Sequence, residues 1–352
     1  MRKQTLRGRT EHLVTVVDLG QDVAAAEAPV LLDVRWRLGE APGDGARRYA
    51  EGHLPGARFL DLETVLTRQT GDPLDGRHPL PDVDTLAAEL TALGVRDGSH
   101  VVVYDEPGSF AAERAWWVLR WAGVRVRLLD GGLAAWTEAG MPLESGPDAG
   151  AGTAPEPGST APLTLTAGRL ATLDADGAAA FPSRGVLVDA RAGERYRGEV
   201  EPMDPRAGHI PGAVNTPVGG LFTADGRLPD EDSLRSSLGA AGSGRTPVAV
   251  YCGSGVSAAR NVLALTVLGV DAALFPGSWS AWSNDPNRPV AAGSERSPST
   301  AAPAPSAAAQ SLDNRAQSLH ILGTSLWTTP PNCADLRDAG TPRWPARDPG
   351  HD

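Results

Sequence analysis

The chain spells out nearly the same pattern twice, so its fold must be one that can be built twice. VLLDVRW at 30–36 and EGHLPGARFLDL at 51–62 return as VLVDAR at 186–191 and AGHIPGAVNTPV at 207–218. HVVVYD at 100–105, AAERAWWVLRWAGV at 111–124 and LLDGGLAAW at 128–136 return as PVAVYC at 247–252, SAARNVLALTVLGV at 257–270 and LFPGSWSAW at 274–282. Asp33, Arg35 and His53 precede Asp189, Arg191 and His209 by 156 residues, and Tyr104–Asp105 precedes Tyr251–Cys252 by 147. A similarity this long, kept in one order, is a duplicated domain.

Within each copy, short β-rich runs alternate with helical patterns. VLLDV and HVVVY are apolar without alternation, as strands covered on both faces are. VDTLAAELTAL at 83–93 places Leu86, Leu90 and Leu93 on one helical face, and 111–121 carries Trp116, Trp117 and Leu119 among good helix formers. The PG pairs at 55–56 and 211–212 mark turns. The fold class is therefore α/β: two tandem three-layer α/β/α units, each around a small parallel sheet. The expected boundaries are 11–141 for the first unit, 142–162 for a Pro/Gly/Ser/Ala-rich linker and 163–290 for the second unit. The remainder, 291–352, is Ala/Pro/Ser-rich, too poor in apolar residues to hold a core and expected to be largely disordered. One short apolar stretch in it, LHILGTSLW, could pack on the body.

Composition narrows the function. A formal net charge of -11 argues against a nucleic-acid surface. There are two cysteines, Cys252 and Cys333, which is neither a secreted disulfide framework nor a structural zinc set. The N-terminal MRKQTLRGRTEHLVTVV is basic without an apolar core, and no run approaches the ~18 apolar residues of a membrane span. A cytoplasmic setting that keeps thiols reduced is expected, with no membrane association. No cofactor and no metal are expected, and the oligomeric expectation is a monomer. Cys333, in PPNCADLRD, has no neighbouring base or ligand set and reads as incidental.

Cys252 stands at the carboxyl end of a predicted central strand, where open α/β sheets place their ligands. Gly253, Ser254, Gly255 and Val256 form a short loop before a helix opening near Ser257, which can cap it. Amide N–H groups of such a loop, together with the helix N-terminus, can converge on one point and stabilise a thiolate there. Competing readings fit less well. A phosphate-binding loop needs a lysine before Ser/Thr, and a dinucleotide fingerprint fails at Ser257 and Ala258. A phosphatase-like cysteine loop needs an arginine at position 258, whereas the first arginine is Arg260. A buried structural cysteine remains the bland alternative, although glycines and serine are poor core filler beside it. An amide cradle without a loop arginine suits sulfur carried on sulfur, a Cys–S–S⁻ persulfide, in a two-step covalent reaction.

DVRW, GHLPGA, GRHPLP, DAR with RYRG, GHIPGA, CGSGVSA and GSWSAW, in this order over residues 11–290, resemble the two-domain rhodanese-type sulfurtransferases. That family includes thiosulfate and 3-mercaptopyruvate sulfurtransferases. The resemblance implies a catalytically silent first domain, and Asp105 in the place of Cys252 agrees. It implies a small-molecule sulfur donor, a thiol or cyanide acceptor, and possible delivery to a thioredoxin-like protein. Thiosulfate-preferring members are expected to carry basic loop residues, as in C-R-K-G-V-T. Gly253 and Ser254 are uncharged, so the loop resembles the mercaptopyruvate type, with Ser257 in place of the usual threonine. The resemblance further implies a polar relay of Ser254, Glu63 and His78, with Glu63 standing where aspartate is usual. Arg195 matches the substrate-binding arginine. A second arginine is implied a few residues on. Arg206 is the candidate, although strict spacing lands on Asp204, and Arg197 is a solvated alternative. Gly253, Gly255, Val256 and Ser257 complete the expected donor site.

Other polar residues invite plainer readings. Asp189 and Arg191 recur as Asp33 and Arg35 in the copy without a cysteine, which argues for a structural bracket near the site. His209 recurs as His53 before an [LI]PG turn and reads as a structural histidine. Trp282 recurs as Trp136 and belongs to the core, whereas Trp279 is a candidate for the mouth of the site.

Overall fold

The computed structural model describes residues 8–25, 28–146 and 163–294. The expected linker beyond residue 146 and the tail from 295, including LHILGTSLW and Cys333, lie outside the described residues. The first copy builds a sheet from β1 (Leu13–Val14), β2 (Val30–Asp33), β3 (Arg58–Phe59), β4 (His100–Tyr104) and β5 (Arg125–Leu129). Their order is β1-β5-β4-β2-β3, and every pairing is parallel. The second copy builds β6 (Val186–Asp189), β7 (Val214–Asn215), β8 (Val248–Tyr251) and β9 (Ala272–Leu274) into a parallel sheet of order β7-β6-β8-β9. The second order repeats the first without β1. Where β1 sets Leu13 beside Leu128, the second copy keeps one isolated bridge from Thr172 to Leu274.

All residues of β6 and β8 are buried, as are Val101–Tyr104 of β4. Such strands need helices on both faces, which explains their unbroken apolar runs. The helices Ala111–Trp121 and Ala258–Val267 occupy equivalent places in the two copies and pack on one another. One apolar cluster accordingly runs through both copies, from Leu32 and Trp117 to Val262 and Leu265.

The polar residues shared by the two copies turn inward and tie the chain to itself. Arg35 grips Asp33 through Nε and Nη2 and donates to the carbonyls of Arg48 and Gly52. Arg191 grips Asp189 in the same way and donates to Glu201 and the carbonyl of Gly208. The His53 ring lies 3.9 Å from that of Tyr49 with Nδ1 on the Tyr49 carbonyl; His209 does the same with Tyr196 at 3.8 Å. Tyr104 and Tyr251 offer their hydroxyl oxygens to the amides of Leu54 and Ile210. One architecture is thus fixed twice by one set of bonds. Replacing Asp33 by Ala leaves the Arg35 guanidinium buried without its counter-charge. Urea unfolding of Asp33→Ala is expected to show a loss of about 3–5 kcal/mol.

Candidate active site

Cys252 follows β8 directly and is 1% exposed. Its loop is strapped to the first turn of the helix Ser278–Asn284. The Trp279 amide donates to the Cys252 carbonyl at 2.9 Å, and the Ser280 amide to the Gly253 carbonyl at 2.8 Å. The Cys252 amide donates to Ser278 Oγ at 3.1 Å, and that hydroxyl in turn donates to the Phe275 carbonyl. Ser278 has φ 51, and among the described residues it is the one non-glycine residue with positive φ. The first copy has Gly132 at this place with φ 54. The turn demands a left-handed residue in both copies, and the second accepts a strained serine whose hydroxyl holds the cysteine amide.

The Gly255 amide points at Cys252 Sγ at 3.1 Å, the part of the expected amide cradle that is formed. Gly255 has φ +78, and a Cβ there would lie 2.5 Å from the Pro276 carbonyl oxygen, so this position accepts only glycine. Ser257 opens the helix Ala258–Val267, but its hydroxyl makes no capping bond. That expectation is corrected: the residue has helical dihedrals, unlike a capping serine, and borders the cleft instead.

Cys252, Ser254, Val256 and Ser257 line a cleft of about 400 Å³ whose other walls include Trp36 and Arg77 from the first copy. A larger cleft of about 800 Å³ lies at the other end of the first sheet, around the strand starts at His100 and Arg125. Ligand chemistry in open α/β sheets belongs at the carboxyl ends of strands, where the smaller cleft lies. Among the described residues, no three or more His, Cys, Asp or Glu side chains are placed to hold a metal ion.

The expected relay is present in part. His78 Nε2 lies 3.2 Å from Glu63 Oε1, which also accepts from Trp36 Nε1 at 2.9 Å. The His78 hydrogen bond holds the Glu63 carboxyl below its ordinary range. His78 Nδ1 is buried without a partner, and no hydrogen bond joins Ser254 to His78 among the described residues. Arg195 lines the cleft and is braced by Glu201 at 2.5 Å and Asp204 at 3.1 Å. Arg206 does not reach the cleft. Its guanidinium donates to the carbonyls of Trp282, Ser283, Asp285 and Arg288, so the expectation of a donor-binding Arg206 is corrected. All of its fork is spent on closing the chain around the helix Ser278–Asn284. Arg197 pairs with Glu199 at the surface. Trp279 is fully buried, with Nε1 on the Arg206 carbonyl and the Arg191 guanidinium 4.5 Å from its ring centre, and so does not form the mouth.

Two arginines escaped the sequence reading. Arg77, rather than Arg206, joins Arg195 at the cleft, which Arg37 and Arg191 also line, and it pairs with Asp204. Arg114 is fully buried and crosses from the first copy to donate to the Gly255 carbonyl at 3.2 Å, and also to the His78 and Leu66 carbonyls. The repeat carried a signal for it: AAER at 111–114 matches SAAR at 257–260, so Arg114 and Arg260 are equivalent. Arg260 makes the reciprocal crossing to the Ser109 carbonyl and pairs with Glu113 at 2.6 Å. The residue equivalent to Glu113 is Ala259. Among the described residues three arginines are buried; Arg35 and Arg191 have carboxylates, and Arg114 forms no ion pair. Burial pushes its guanidinium down to about 10, and the Cys252 sulfur pulls the other way. In the first copy Asp105 takes the sulfur's place, accepting from the Ala112 amide at 3.0 Å, and burial with Glu113 alongside raises its carboxyl.

A cysteine sulfur under an amide, at a cleft lined by both copies of a parallel-sheet domain, is an arrangement suited to covalent thiolate chemistry. The Rhodanese-like domain family matches residues 16–139 and 167–285. The Mycobacterium tuberculosis protein named "Putative thiosulfate sulfurtransferase SseB" is 47% identical over 295 residues, 82% of this chain and 99% of its own. The "Probable 3-mercaptopyruvate sulfurtransferase" of Pseudomonas aeruginosa is 46% identical over 276 residues, 75% of this chain and 92% of its own. The crystal structure of the 3-mercaptopyruvate sulfotransferase SseA from Escherichia coli superposes with a TM-score of 0.64 at 33% identity, covering 76% of this chain and 98% of that one. The chain belongs to the rhodanese-like family, as a two-domain member. It is a sulfurtransferase that moves sulfane sulfur through a cysteine persulfide.

Arg114→Met is expected to slow alkylation of the cleft cysteine by iodoacetamide at neutral pH by about tenfold, with Arg114→Lys close to wild type. Equal rates in all three proteins would deny the buried guanidinium any effect on the sulfur.

Proposed function

We propose that Cys252 is the sulfur carrier and that 3-mercaptopyruvate is its preferred donor. The observation that carries the reading is Cys252 Sγ under the Gly255 amide, at the floor of a cleft walled by Arg195. The loop brings no charged side chain of its own, and a guanidinium fork suits the planar carboxylate of a keto acid. The Cys252 thiolate attacks the donor sulfur, the C–S bond breaks, and its electron pair leaves as the enolate of pyruvate. The enolate takes a proton to become pyruvate, and the persulfide loses its own proton to stand as Cys–S–S⁻. The Gly255 amide and Arg114 stabilise that anion where water is excluded. Cyanide or a thiolate then attacks the outer sulfur, the S–S bond breaks, and the Cys252 thiolate returns.

Ser254 lines the cleft, and it and the Glu63–His78 pair serve proton movement to the enolate. The first domain is catalytically silent, since the Asp105 carboxylate has no sulfur to offer. The acceptor is a small thiol, cyanide or a thioredoxin-like protein in a reducing cytoplasmic setting, and the working unit is a monomer. Among the described residues no helix is long and apolar enough to cross a membrane. A second reading, thiosulfate as main donor, is favoured by the position of Arg77.

Treatment with donor alone is expected to add about 32 Da, one sulfur atom, to the peptide containing Cys252, and cyanide to remove it. Cys252→Ser is expected to lose transfer from either donor. Full activity in that variant, or the added mass on Cys333, would overturn the assignment of the carrier.

A further inference from the structure

The larger cleft, about 800 Å³ at the amino ends of β4 and β5, concentrates charges that the fold does not require. Arg120, Arg125, Arg127, Arg169 and His100 line it, against two carboxylates, Glu11 and Asp22. The chain as a whole carries 43 Asp plus Glu and 32 Lys plus Arg, so this cleft runs against its composition.

The duplication shows that the sheet can form without these cations. The ladders pair Val101 with Val126 in the first copy and Val248 with Ala272 in the second. By the same alignment, Pro247, Thr266, Asp271 and Ala273 stand where the first copy has His100, Arg120, Arg125 and Arg127. A buried parallel sheet forms there with no cation at any of the four positions. The basic end of the first sheet therefore answers to something other than folding.

Two of the arginines are already neutralised. Arg120 lies 3.3 Å from Glu11, and Arg127 lies 2.7 Å from Asp22. Arg125 and Arg169 form no ion pair among the described residues. Arg125 Nη1 is 3.1 Å from His100 Nε2, and because a guanidinium only donates, the ring nitrogen accepts. That bond brings no negative charge. Arg169 is set in place by its backbone: its amide donates to the Trp121 carbonyl at 3.0 Å, and the Thr166 amide to the Ala122 carbonyl at 3.0 Å. A Cβ built on Gly123 would lie 3.8 Å from Arg169 Cγ and 3.9 Å from its Nε. The side chain thus runs over the turn that leads into Arg125. Among the described residues β1 pairs only with Leu128 and Leu129 of β5, so 125–127 have no strand on that side, and the cleft lies along them.

The shape and charge together narrow the ligand. The volume falls within the range of small-molecule sites, about 300–1,000 Å³. A net charge of -11 disfavours an extended polyanion. Pro29, Val124 and Leu170 add apolar wall beside the guanidinium groups. A phosphate monoester brings a doubly charged head whose oxygens match a guanidinium fork, on a body that apolar surface can cover.

We propose that this cleft is a second ligand site, which binds a phosphate monoester of nucleotide size. Arg125 and Arg169 hold the phosphate, and Pro29, Val124 and Leu170 cover the organic body. No bond is made or broken there. The site lies at the opposite end of the strands from the sulfur, and sulfur transfer does not require it.

The test is isothermal titration of the full chain, at low ionic strength, with adenosine monophosphate, inorganic phosphate and adenosine. Wild type is compared with Arg125→Met/Arg169→Met and with Arg58→Met/Arg245→Met, which removes two charges elsewhere. Adenosine monophosphate is expected to bind wild type at least about tenfold more tightly than inorganic phosphate does, and adenosine to give no heat. Arg125→Met/Arg169→Met is expected to weaken adenosine monophosphate about 30-fold or more, and Arg58→Met/Arg245→Met less than about threefold. Both variants are expected to keep wild-type sulfur transfer to cyanide, which shows them folded. Absence of nucleotide binding to wild type, binding that survives Arg125→Met/Arg169→Met, or an equal loss in the control pair would overturn the site. Inorganic phosphate binding as tightly as the nucleotide would overturn its assignment to an organic ester.

Discussion

Cys252 is 1% exposed, so any charge formed on its sulfur would need compensation close by, and the groups placed to give it come from both copies. Part of the compensation is local: the Gly255 amide on Cys252 Sγ, made possible by a left-handed glycine that only a missing Cβ allows. The other part is distant. Arg114 arrives from the first copy, fully buried, with its hydrogen bonds on carbonyls and no carboxylate to neutralise it. A guanidinium spends less on desolvation than an ammonium and satisfies several carbonyls at once, here those of Gly255, Leu66 and His78.

The two copies therefore depend on one another at the level of single bonds. Trp36 and Arg77 wall a cleft whose floor belongs to the second copy, and Arg260 reaches back to Glu113 in the first. The apolar cluster that runs through both copies gives this arrangement its rigidity. The first copy has Asp105 where the second has Cys252, and it lends the cleft Trp36 and Arg77 and sends Arg114 to the Gly255 carbonyl.

Much of this was legible in the sequence because it was local or repeated. The longer strands, their parallel sense and the place of Cys252 after one of them follow from unbroken apolar runs and from the double statement of each motif. The brackets Asp33–Arg35 and Asp189–Arg191 were legible as structural because they survive in the copy without sulfur. What was not legible depends on chain passing chain. Arg77 meets Gly253 only because Gly76 packs on Gly277, and neither glycine announces its partner. Arg206 satisfied the type of residue sought but is held on carbonyls of 282–288 by the chain folding over it. Ser278 looked like any small residue in GSWSAW; its left-handed backbone shows only beside Gly132. Arg114 was within reach, since AAER and SAAR are equivalent; Glu113 pairs with Arg260, and its equivalent, Ala259, has no carboxylate to offer.

That last asymmetry has an electrostatic consequence. Glu113 and Asp105 are neighbours in the first copy, where burial and mutual repulsion raise the Asp105 carboxyl, and Arg260 answers for both. A thiol set into position 105 would inherit those surroundings: an acid already holding the nearby cation, in a dry pocket that resists a second negative charge. In the second copy the cation waits unclaimed. The two copies thus differ in electrostatics as well as in one sulfur: position 105 lies beside an acid that already holds its cation, and the guanidinium equivalent to that cation has no carboxylate among the described residues.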